Sequence, residues 1–598
     1  MDSQKIPPAY DGIDTDSAPE SVSATKAPLL ENFLVDRPGS LPLRGPLSES
    51  TATYTTVDGE KPVGIWSHNN NILMGLKAVS ATAVRDPWVA PYRRVSSAAS
   101  LASAATTIIH VDLETSAVTQ LSGSAIDVVP GPRFDRVGDY VYGIGYDNAT
   151  SSTQNGGVQK HTKLLRWDGT AVAPTAYANG PLMAQDVKAH LDRLFVLGGM
   201  VPGTTTYSPS SLFFSDAGGP TADTLAFWQD DASGSVNNIV VDSNDPSDFG
   251  VALSKANGNL VIFKRQSIHV MYGTDPTTFQ IKTFTTEQGC IDARSIVEYE
   301  GGCFFMSDQG YMFFDGARLF NTSSSLRSTL LTYAINNVGD NGLDGGRVIA
   351  GKLPNGYIGL SIGVSTSDTS ASVTDFSALY HVGRQAWVYF SSATLSGNKP
   401  VQFGNALTKS FVVDDTSIVQ ANHITAPETA PSTERGADLN FTFDGTGSGP
   451  LFNGTGGTLK NQITGVEAFT GSPIPARWHS RLFSLGEPLF MSQLQRFVMD
   501  YTMEVSGSAD DDYDGWYVLL TNGRGQVLAE GEYQVPTQGD AATTQYIYRR
   551  QHTKDVFEET HDLQVRIEWR GTTALILPRA EIFNSMVEFK PARQRRST

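Results

Sequence analysis

Short runs of alternating apolar and polar residues recur along this chain, and each run is followed, after a polar turn, by a second one. The clearest examples are "NLVIFKRQSIHVMYG" at 259–273 and "GCFFMSDQGYMFFDG" at 302–316. Each consists of an apolar run, a short polar turn and a second apolar run that ends in glycine. Period-two alternation over so few residues predicts half-buried β-strands, and the paired arrangement predicts β-hairpins.

The same pairing recurs along most of the chain, at intervals of roughly 40 to 60 residues, which is the spacing of a structural repeat. The further pairs are 138–147 with 162–169, 191–199 with 211–219, 355–363 with 377–390, 409–420 as one compressed hairpin, and, more weakly, 71–79 with 107–121. A hairpin alone cannot bury its apolar face, so these units must stack on one another. The pattern predicts an all-β fold with a β-propeller of six or seven blades over residues 61–425. One large β-sandwich with long hairpins is the alternative.

The pattern changes after residue 425. Residues 426–460 open with "APETAPSTERGADLN" and become rich in glycine, which is typical of a linker and irregular loops. Strand-like runs return over 461–598, with clean alternation in "LQVRIEW" at 563–569. We expect this last region to form an antiparallel β-sandwich that serves as a platform-like domain.

The first 28 residues, "MDSQKIPPAYDGIDTDSAPESVSATKAP", are rich in proline and aspartate and contain no apolar signal-peptide core. This composition predicts a flexible, disordered N-terminal arm that orders only on meeting a partner. Residues 29–60 are expected to be a lead-in segment that packs on the propeller or on the sandwich. The basic run "RQRR" at 593–596 is interpreted as a frayed tail, or as a contact to DNA or to an acidic neighbour.

Composition narrows the class of protein. Of 598 residues, 40% are apolar and 18% are charged, so a packed core is expected and wholesale disorder is excluded. The net charge of −18 argues against a tight grip on nucleic acid, although DNA could still slide past such a surface. The two cysteines, Cys290 and Cys303, lie in apolar stretches and are expected to be reduced and buried. The longest apolar runs, such as 357–364, are too short to cross a bilayer.

The sequence contains no recognisable catalytic, cofactor or metal motif. Its ten histidines show neither HxH nor HExxH spacing, and there is no GxSxG elbow, P-loop or GxGxxG after a strand. We therefore predict no catalytic, cofactor-binding or metal-ligating residues, and no cofactor.

One acidic cluster has the spacing of a calcium loop. Asp510, Asp512 and Asp514 stand at positions 1, 3 and 5 and are followed by Gly515. Position 12 is Thr521, where a calcium loop has a bidentate Glu. An acidic, solvated turn is the favoured interpretation, and calcium binding is the alternative.

Three glycines end or turn the two clearest hairpins. Gly273, Gly310 and Gly316 are predicted to need positive φ or a close approach of backbone.

Three stretches of the sequence resemble stretches of known proteins. Residues 259–316 resemble a stretch found in bacteriophage virion proteins, in which a "vvFkr-sIyv--G" hairpin, a "GC-a--Sv" turn and an "fFlS-dGvy-fdG" hairpin follow one another. The matching positions here are Phe263, Lys264, Ile268, Gly273, Gly289, Cys290, Ser295, Phe305, Asp308, Gly310 and Gly316. In addition, 29–45 is similar to the opening of such chains, and 476–501 resembles the start of their C-terminal sandwich.

The family is that of the β-propeller tail proteins of short-tailed phages: the tail nozzle, also called tail tubular protein B, and the related tail hub that stabilises packaged DNA. The resemblance implies a non-enzymatic structural protein that forms a homo-oligomeric ring, a hexamer, with a central channel. It implies that the ring retains DNA before ejection and conducts it during ejection, without sequence-specific binding. Its partners would be an adaptor or connector ring and tail fibres or spikes. Its place would be the virion tail, assembled in the cytoplasm of the bacterial host.

Two other functions remain open at the level of sequence. A carbohydrate-binding receptor adhesin would need exposed aromatic side chains, for which Trp88, Trp228 and Trp387 are the candidates; packing between blades is the favoured interpretation of each. A glycan-cleaving propeller enzyme is the other alternative, because a catalytic carboxylate pair cannot be recognised without a fold.

Overall fold

The structure is a computed structural model, and it is described for part of the chain. The described residues are 2–18, 21–36, 38–44, 50–53, 60–68, 71–78, 106–112, 117–120, 126–128, 134–154, 157–169, 175–177, 179–181, 184–199, 201–204, 208, 210–230, 232–242, 248–330, 347–363, 376–391, 402–405, 410–413, 417–420, 433–438, 469–473, 476–485, 491–505, 515–534, 545–570 and 580–591.

These residues form β-strands joined by turns, as the alternation predicts. In chain order the strands are β1 (Asp2–Ile6), β2 (Leu29–Glu31), β3 (Leu41–Pro42), β4 (Ser50–Thr53), β5 (Glu60–His68), β6 (Asn71–Ala78), β7 (Thr106–Asp112), β8 (Ala117–Gln120), β9 (Ile126–Val128), β10 (Asp135–Val137), β11 (Tyr140–Gln154), β12 (Gly157–Trp167), β13 (Thr175–Tyr177), β14 (Asp186–His190), β15 (Arg193–Leu197), β16 (Ser211–Phe214), β17 (Asn238–Val240), β18 (Gly250–Ala256), β19 (Asn259–Lys264), β20 (Ile268–Tyr272), β21 (Gln280–Thr285) and β22 (Val297–Tyr299). They continue with β23 (Gly302–Ser307), β24 (Gly310–Phe314), β25 (Leu319–Asn321), β26 (Arg347–Lys352), β27 (Tyr357–Gly363), β28 (Phe376–His381), β29 (Ala386–Tyr389), β30 (Gln402–Asn405), β31 (Ser410–Val413), β32 (Ser417–Gln420), β33 (Thr433–Asp438), β34 (Phe469–Pro473), β35 (Ala476–His479), β36 (Phe483–Ser484), β37 (Ser492–Val505), β38 (Gly515–Thr521), β39 (Val527–Gln534), β40 (Gln545–Asp555), β41 (Glu559–Thr560), β42 (Asp562–Arg570) and β43 (Ala580–Pro591).

Two short 3-10 turns are also described, Leu225–Trp228 and Ala293–Ser295. In the described part of the chain, no helix is long and apolar enough to cross a membrane.

The region from β4 to β32 is a series of small antiparallel sheets, and the all-β prediction is confirmed. In chain order they are sheet 1 (β5–β8), sheet 2 (β9–β13), sheet 3 (β14–β17), sheet 4 (β18–β21), sheet 5 (β22–β25), sheet 6 (β26–β29) and sheet 7 (β30–β32 with β4). Every strand pair predicted from the sequence is present in these sheets, in antiparallel register. Sheet 7 is completed by β4, which precedes sheet 1 in the chain and pairs with β32.

From sheet 2 onwards, successive sheets lie against one another through one strand each, which we call the first strand: it is β10 in sheet 2, and the strand that comes first in the chain in each of sheets 3 to 7. Strand β14 contacts β10 and β18, and β22 contacts β18 and β26. Strand β30 contacts β26 on one side and β5 on the other, so sheet 7 lies against sheet 1 as well as against sheet 6. Strand β9 of sheet 2 contacts β6 and β7 of sheet 1, so each of the seven sheets contacts the next and the last contacts the first.

The first two strands of four consecutive sheets are joined by two-residue turns in which both residues have positive φ. These turns are Leu191–Asp192, Asn257–Gly258, Glu300–Gly301 and Asn355–Gly356. Positive φ at both central residues is the geometry of a type I′ turn, whose twist matches that of a β-hairpin.

The C-terminal region contains two further sheets that share one buried cluster. One has the order β1–β43–β37–β40, with β3 and β41 at its sides, and the other the order β35–β42–β38–β39. Phe497 and Val587 of the first sheet and Trp478 and Val565 of the second belong to the same hydrophobic cluster.

Strand β2 connects the two regions. Glu31 pairs with Tyr389 of β29 in parallel, and Leu30 pairs with Trp478 of β35 in antiparallel register. Sheet 6 and the β35–β42–β38–β39 sheet are thereby one continuous sheet of ten strands. Residues of the predicted lead-in segment thus contact both regions.

The prediction of a disordered arm over residues 1–28 is wrong for its described residues. Strand β1 pairs with β43, with Ile6 opposite Ser585. Ile6 and Ile13 are each only 1% exposed, and the Ile13 amide donates to the carbonyl of Trp387 at 3.0 Å. The apolar residues of this segment occur singly among proline and aspartate, so the average composition of the segment does not reveal them. They are nevertheless buried against other parts of the fold.

Part of the predicted linker, 426–460, is also strand. Residues 433–438 form β33, which pairs with β34. The remainder of that linker lies outside the described residues.

Candidate functional site

Four of the residues that carry the resemblance in 259–316 form a buried joint between neighbouring sheets: Lys264, Gly289, Cys290 and Ser295. Lys264 is 2% exposed although it is charged. Its ammonium group donates to the carbonyl of Asp242 at 2.9 Å and lies 3.7 Å from the carboxylate of Asp248. A buried charge is tolerated when it is paired and hydrogen-bonded, as it is here.

A serine and a histidine in the same turn extend this network. The Ser267 hydroxyl donates to Asp248 at 2.5 Å and lies 2.8 Å from Nε2 of His269. Nδ1 of His269 lies 3.1 Å from the hydroxyl of Thr283. Burial, and then the Lys264 ammonium, lower the pKa of His269.

This arrangement is unlike a hydrolytic triad, in which the histidine stands between the serine and the carboxylate. Here the serine stands between the other two groups. His269 is 1% exposed and Ser267 is 3% exposed, so neither side chain faces solvent where a substrate could reach it. The network holds the turn between β19 and β20 in place.

Gly289 and Cys290 pack on the backbone of that turn. The Cys290 amide donates to the carbonyl of Lys264 at 2.9 Å. A Cβ on Gly289 would overlap the same carbonyl oxygen, so only glycine permits this approach. Cys290 and Cys303 form no disulfide bond and are fully buried, as predicted.

Ser295 and Asp292 continue the joint towards sheet 6. The Ser295 hydroxyl donates to the carbonyl of Asp292 at 2.6 Å and accepts from the amide of Met306 at 2.9 Å. Asp292 forms an ion pair with Arg294 at 2.6 Å and accepts from the Val348 amide of β26 at 3.2 Å. The motif therefore fastens sheet 4 to sheet 5 and sheet 5 to sheet 6.

The prediction for the three hairpin glycines is confirmed. Gly273, Gly310 and Gly316 have φ of +111°, +126° and +92°. A Cβ on Gly310 would overlap the hydroxyl of Ser323, so close approach adds to the conformational requirement at that position.

A second polar cluster, which we call the central cluster, lies where the first strands of sheets 2 to 5 meet. It consists of Asp135 on β10, Lys188 and His190 on β14, Lys255 on β18 and Glu298 on β22. The Lys188 ammonium lies 3.1 Å from the Asp135 carboxylate and 2.9 Å from the Glu298 carboxylate. One cation thus joins strands from three different sheets.

Each carboxylate of the central cluster is further held by backbone amides. Glu298 accepts from the Lys255 amide and from the Ser254 hydroxyl, both at 3.0 Å. Burial alone would raise the pKa of Asp135, but the Lys188 ammonium and two backbone N–H groups outweigh it and hold the pKa below its ordinary value. Asp135 is therefore a charged ion-pair partner of Lys188 at neutral pH.

His190 at the edge of the central cluster is kept neutral. Burial, together with the ammonium groups of Lys255 and Lys188, lowers the pKa of His190 to about 4. The central cluster therefore links strands electrostatically: one bridging ammonium pairs with two carboxylates, beside a neutral imidazole. Among these groups there is no nucleophile with an adjacent free base.

The sequence analysis missed the central cluster because its members lie on four short strands far apart in the chain. The available signal was the position of the four charged residues, each two or three residues before a hairpin turn. Lys188 and Lys255 precede the turns at Leu191 and Asn257 in this way. Such a signal becomes visible only once the repeats are aligned on their turns.

The aromatic candidates for a glycan site are not exposed where they are described. Trp228 and Trp387 are each 1% exposed, and Nε1 of Trp387 donates to the carbonyl of Thr322 at 2.8 Å. Both pack inside the protein, whereas Trp88 lies outside the described residues. Asp510, Asp512 and Asp514 and the run at 593–596 also lie outside them. Among the described residues, no group of three His, Cys, Asp or Glu side chains is placed to hold a metal ion.

Comparison with known proteins gives no family. No family model matches the chain, and no curated protein matches it. Among solved structures, a puromycin hydrolase is similar at 10% identity and a TM-score of 0.33, covering 72% of this chain and 61% of its own. A GH74 enzyme from Niastella koreensis shows 12% identity and a TM-score of 0.34, covering 64% of this chain and 54% of its own.

A glycoside hydrolase family 43 arabinoxylan arabinofuranohydrolase from Bacillus subtilis shows 12% identity and a TM-score of 0.24, covering 91% of this chain and 99% of its own. This chain thus spans less than two thirds of the first two enzymes. At these TM-scores the similarities carry no argument about activity.

Proposed function

We propose that this chain is a structural, non-enzymatic component of a bacteriophage tail. In this role it forms a ring, as a nozzle or hub, that retains DNA and conducts it during ejection. The observation that supports this most is the placement of the motif shared with such proteins. Lys264, Gly289, Cys290 and Ser295 all lie in the buried joint between sheets, where they fix the relative position of sheets. A chain whose family signature is a set of structural joints suits a scaffold.

In this proposal sheets 1 to 7 form a closed propeller of seven blades. Three observations support it: the sheets follow one another along the chain, each contacts the next, and β30 of the last sheet contacts β5 of the first. Pairing of β4 with β32 would close the ring by giving the last blade a strand from the start of the chain. A closed propeller leaves only short, protected edges, which favours rigidity.

The two C-terminal sheets form the proposed sandwich, and the N-terminal segment fixes it to the propeller. Strand β2 makes sheet 6 continuous with the sandwich, and Arg477 forms an ion pair with Glu31 of β2 at 3.2 Å. Ile13, inserted against Trp387, is a second connection. Connections of this kind let a load on the sandwich pass to the propeller, as a conduit under pressure requires.

The path of DNA follows from the central cluster. If the first strands surround the propeller axis, Lys188 bridges Asp135 and Glu298 across that axis. The middle of one subunit is then closed, and DNA must pass between subunits arranged in a ring. The net charge of −18 per chain would favour passage without adhesion, because like charges repel within a Debye length of about 8 Å.

The location of the protein in phage particles tests this proposal. Antibodies against the purified chain, applied to intact virions, are expected to label the tail and to leave the capsid unlabelled. A parallel screen on capsular and lipopolysaccharide glycans is expected to show neither binding nor cleavage. Labelling of no virion structure, or depolymerisation of a glycan, would overturn the structural assignment.

A further inference from the structure

Two exposed apolar surfaces of opposite charge lie in different parts of this chain. The first, the cationic edge, consists of Tyr272, Lys282, Phe284, Arg318 and Phe320 on or beside the outer strands β21 and β25. The second, the acidic turn, consists of Phe557, Glu558 and Glu559 between β40 and β41. Large exposed aromatic side chains next to one another are uncommon on a surface that faces only water.

The cationic edge is continuous across two sheets. The exposed fractions of Tyr272, Phe284 and Phe320 are 39%, 38% and 44%. Phe284 of β21 contacts Phe314 at 4.7 Å between ring centroids, and Phe314 pairs with Leu319, the neighbour of Phe320. The outer strand β21 of sheet 4 therefore contacts β24 of sheet 5, the strand beside β25, through these aromatic residues.

Two cations lie over the rings of this edge. The Lys282 ammonium stands 5.5 Å from the ring centre of Tyr272, and the Arg318 guanidinium stands 5.8 Å from that of Phe320. In the described part of the chain Lys282 has no carboxylate within ion-pair distance. Arg318 has Asp315 at 3.6 Å, but its side chain is 77% exposed. Positive charge is thus available to a partner, next to apolar area.

The acidic turn presents an aromatic side chain that its own backbone holds outwards. Phe557 is 69% exposed, the most of any large apolar residue described. The Val556 amide donates to the carbonyl of Gln495 at 2.8 Å, and the Leu494 amide donates to the carbonyl of Glu558 at 2.7 Å. The turn is pinned to β37 on both sides of Phe557, so the ring cannot fold back to cover itself.

Glu558 and Glu559, beside the hydrogen bonds that hold the turn, are both exposed. The nearby cation, Arg496, forms its ion pairs with Asp555 and Glu588 instead. Neither Glu558 nor Glu559 has a cation within ion-pair distance in the described part of the chain. The acidic turn therefore offers an aromatic side chain and two unpaired carboxylates.

We propose that the cationic edge of one copy binds the acidic turn of the next copy of this chain. The occupant is a second copy because one chain carries both halves of the match: aromatic area with cations, and aromatic area with carboxylates. Two different surfaces that bind each other form a heterologous contact, and repetition of such a contact around an axis closes a ring. This inference rests on the ring of the proposed function and names the surfaces that form it.

Charge reversal on each surface, followed by mixing, tests the inference. Variant X carries Lys282→Glu and Arg318→Glu, and variant Y carries Glu558→Lys and Glu559→Lys. Alone, each variant places like charges opposite each other, and its assembly is expected to weaken by about tenfold or more. In an equimolar mixture every X–Y contact is again between opposite charges, so alternating rings are expected to form. Sedimentation velocity at several concentrations measures all three samples.

Matched controls separate the effect of position from the effect of charge. Lys352→Glu removes an exposed cation that lies 5.0 Å from the ring centre of Tyr299. This contact is of the same kind as that of Lys282 with Tyr272. Asp139→Lys reverses a side chain that is 97% exposed. Both controls are expected to assemble like the natural chain. Melting curves confirm that X and Y are folded.

The outcomes distinguish the inference from the function on which it rests. A natural chain that is monomeric at every concentration would contradict the ring itself. If the natural chain assembles and X and Y each assemble equally well, this interface is overturned. It is also overturned if X and Y are folded but dissociated, and their mixture does not assemble. A second readout uses Lys282→Cys with Glu559→Cys in one chain, since Cys290 and Cys303 are buried. Mild oxidation is expected to give a ladder of disulfide-linked oligomers, and its absence in an assembled sample would also count against the interface.

Discussion

The ammonium nitrogen of Lys188 lies 2.9 Å from Oε1 of Glu298, although the two residues belong to sheets 3 and 5 and sheet 4 follows between them in the chain. The same nitrogen lies 3.1 Å from Asp135 of sheet 2. The side chains of Lys188 and Asp135 are 13% and 20% exposed, so water screens their ion pair less than the pair with Glu298, whose side chain is 39% exposed. One side chain thereby couples three sheets electrostatically.

Replacement of Lys188 by Met should destabilise the protein by about 1–3 kcal/mol, because it leaves the half-buried carboxylate of Asp135 and the more exposed carboxylate of Glu298 without their shared cation. Chemical denaturation measures the change. Lys352→Met, at an exposed site, is the control and should cost less than about 1 kcal/mol. Equal midpoints for the two variants would show that the central cluster contributes nothing to stability.

Replacement of Gly310 by Val should cost about 1–3 kcal/mol, because φ of +126° disfavours a side chain and Ser323 occupies the space of its Cβ. Gly258 also has positive φ, at +75°, but has no atom within 4 Å of a built Cβ. Gly258→Val is thus a control for backbone strain alone and should lower the melting temperature less. A Gly310→Val protein that melts like the natural one would contradict the close approach.

Acidification below about pH 6.5 should destabilise the fold through two histidines, His190 and His479. Burial lowers the pKa of both His190 and His479 from the ordinary 6.5 to about 4, with neighbouring cations adding to the effect. Between these two pH values the unfolded chain binds more protons than the folded chain, so stability falls as pH falls. The contribution is complete above about pH 6.5 and is lost on the way to pH 4.

In the His190→Gln protein, the loss of stability between pH 6.5 and pH 4 should be smaller by up to about 3 kcal/mol. This figure follows because a change of one pKa unit corresponds to about 1.4 kcal/mol. Ser21→Ala, at an exposed site without a titratable group, is the control and should leave the slope as it is. Denaturation midpoints at pH 7, 5.5 and 4.5 provide the measurement. An identical slope in the His190→Gln protein would show that His190 titrates normally in the folded state.

Deletion of residues 1–28 should destabilise the isolated protein, contrary to what the composition of the segment suggests. The deletion exposes the edge of β43 and empties the sites of Ile6 and Ile13, each worth about 2–4 kcal/mol on truncation to Ala. Ile13→Ala should therefore melt lower than the natural chain, whereas Ser21→Ala, at an exposed site, should not. If the deletion variant melts like the natural chain, the segment contributes nothing to stability and is a dispensable arm.

The turn at Leu191 should be improvable. Leu191 has φ of +47° and is 39% exposed, a conformation that asparagine or glycine adopts more readily than leucine. Leu191→Asn should stabilise the protein by about 1 kcal/mol, and Asn257→Leu at the equivalent turn should destabilise it by a similar amount. If Leu191→Asn lowers stability instead, the leucine makes a contact that its exposure does not reveal.

The hairpins could be predicted from the sequence because their information is local. Alternation in 259–273 specifies two strands and a turn within fifteen residues, and Phe263 and Ile268 pair as that pattern requires. The "NG" dipeptides at Asn257 and Asn355 were a further local signal, for the first hairpins of sheets 4 and 6, that the alternation alone did not provide.

The long-range pairings could not be predicted in this way. Strand β4 is four residues long and pairs with β32 more than 360 residues later, and β2 has three residues with partners in two regions. Strands this short have no distinctive pattern, and their stability comes from the sheets they join. The central cluster is hidden for the same reason, because Lys188 and Glu298 meet only after the sheets have stacked.

Electron cryomicroscopy of the purified full-length chain tests the central claim most directly. The account predicts a closed ring of identical subunits around a channel wide enough for duplex DNA, each subunit carrying a seven-bladed body whose own centre is filled. A particle that remains a single subunit, or a body built from two face-packed sheets with no axis, would contradict it.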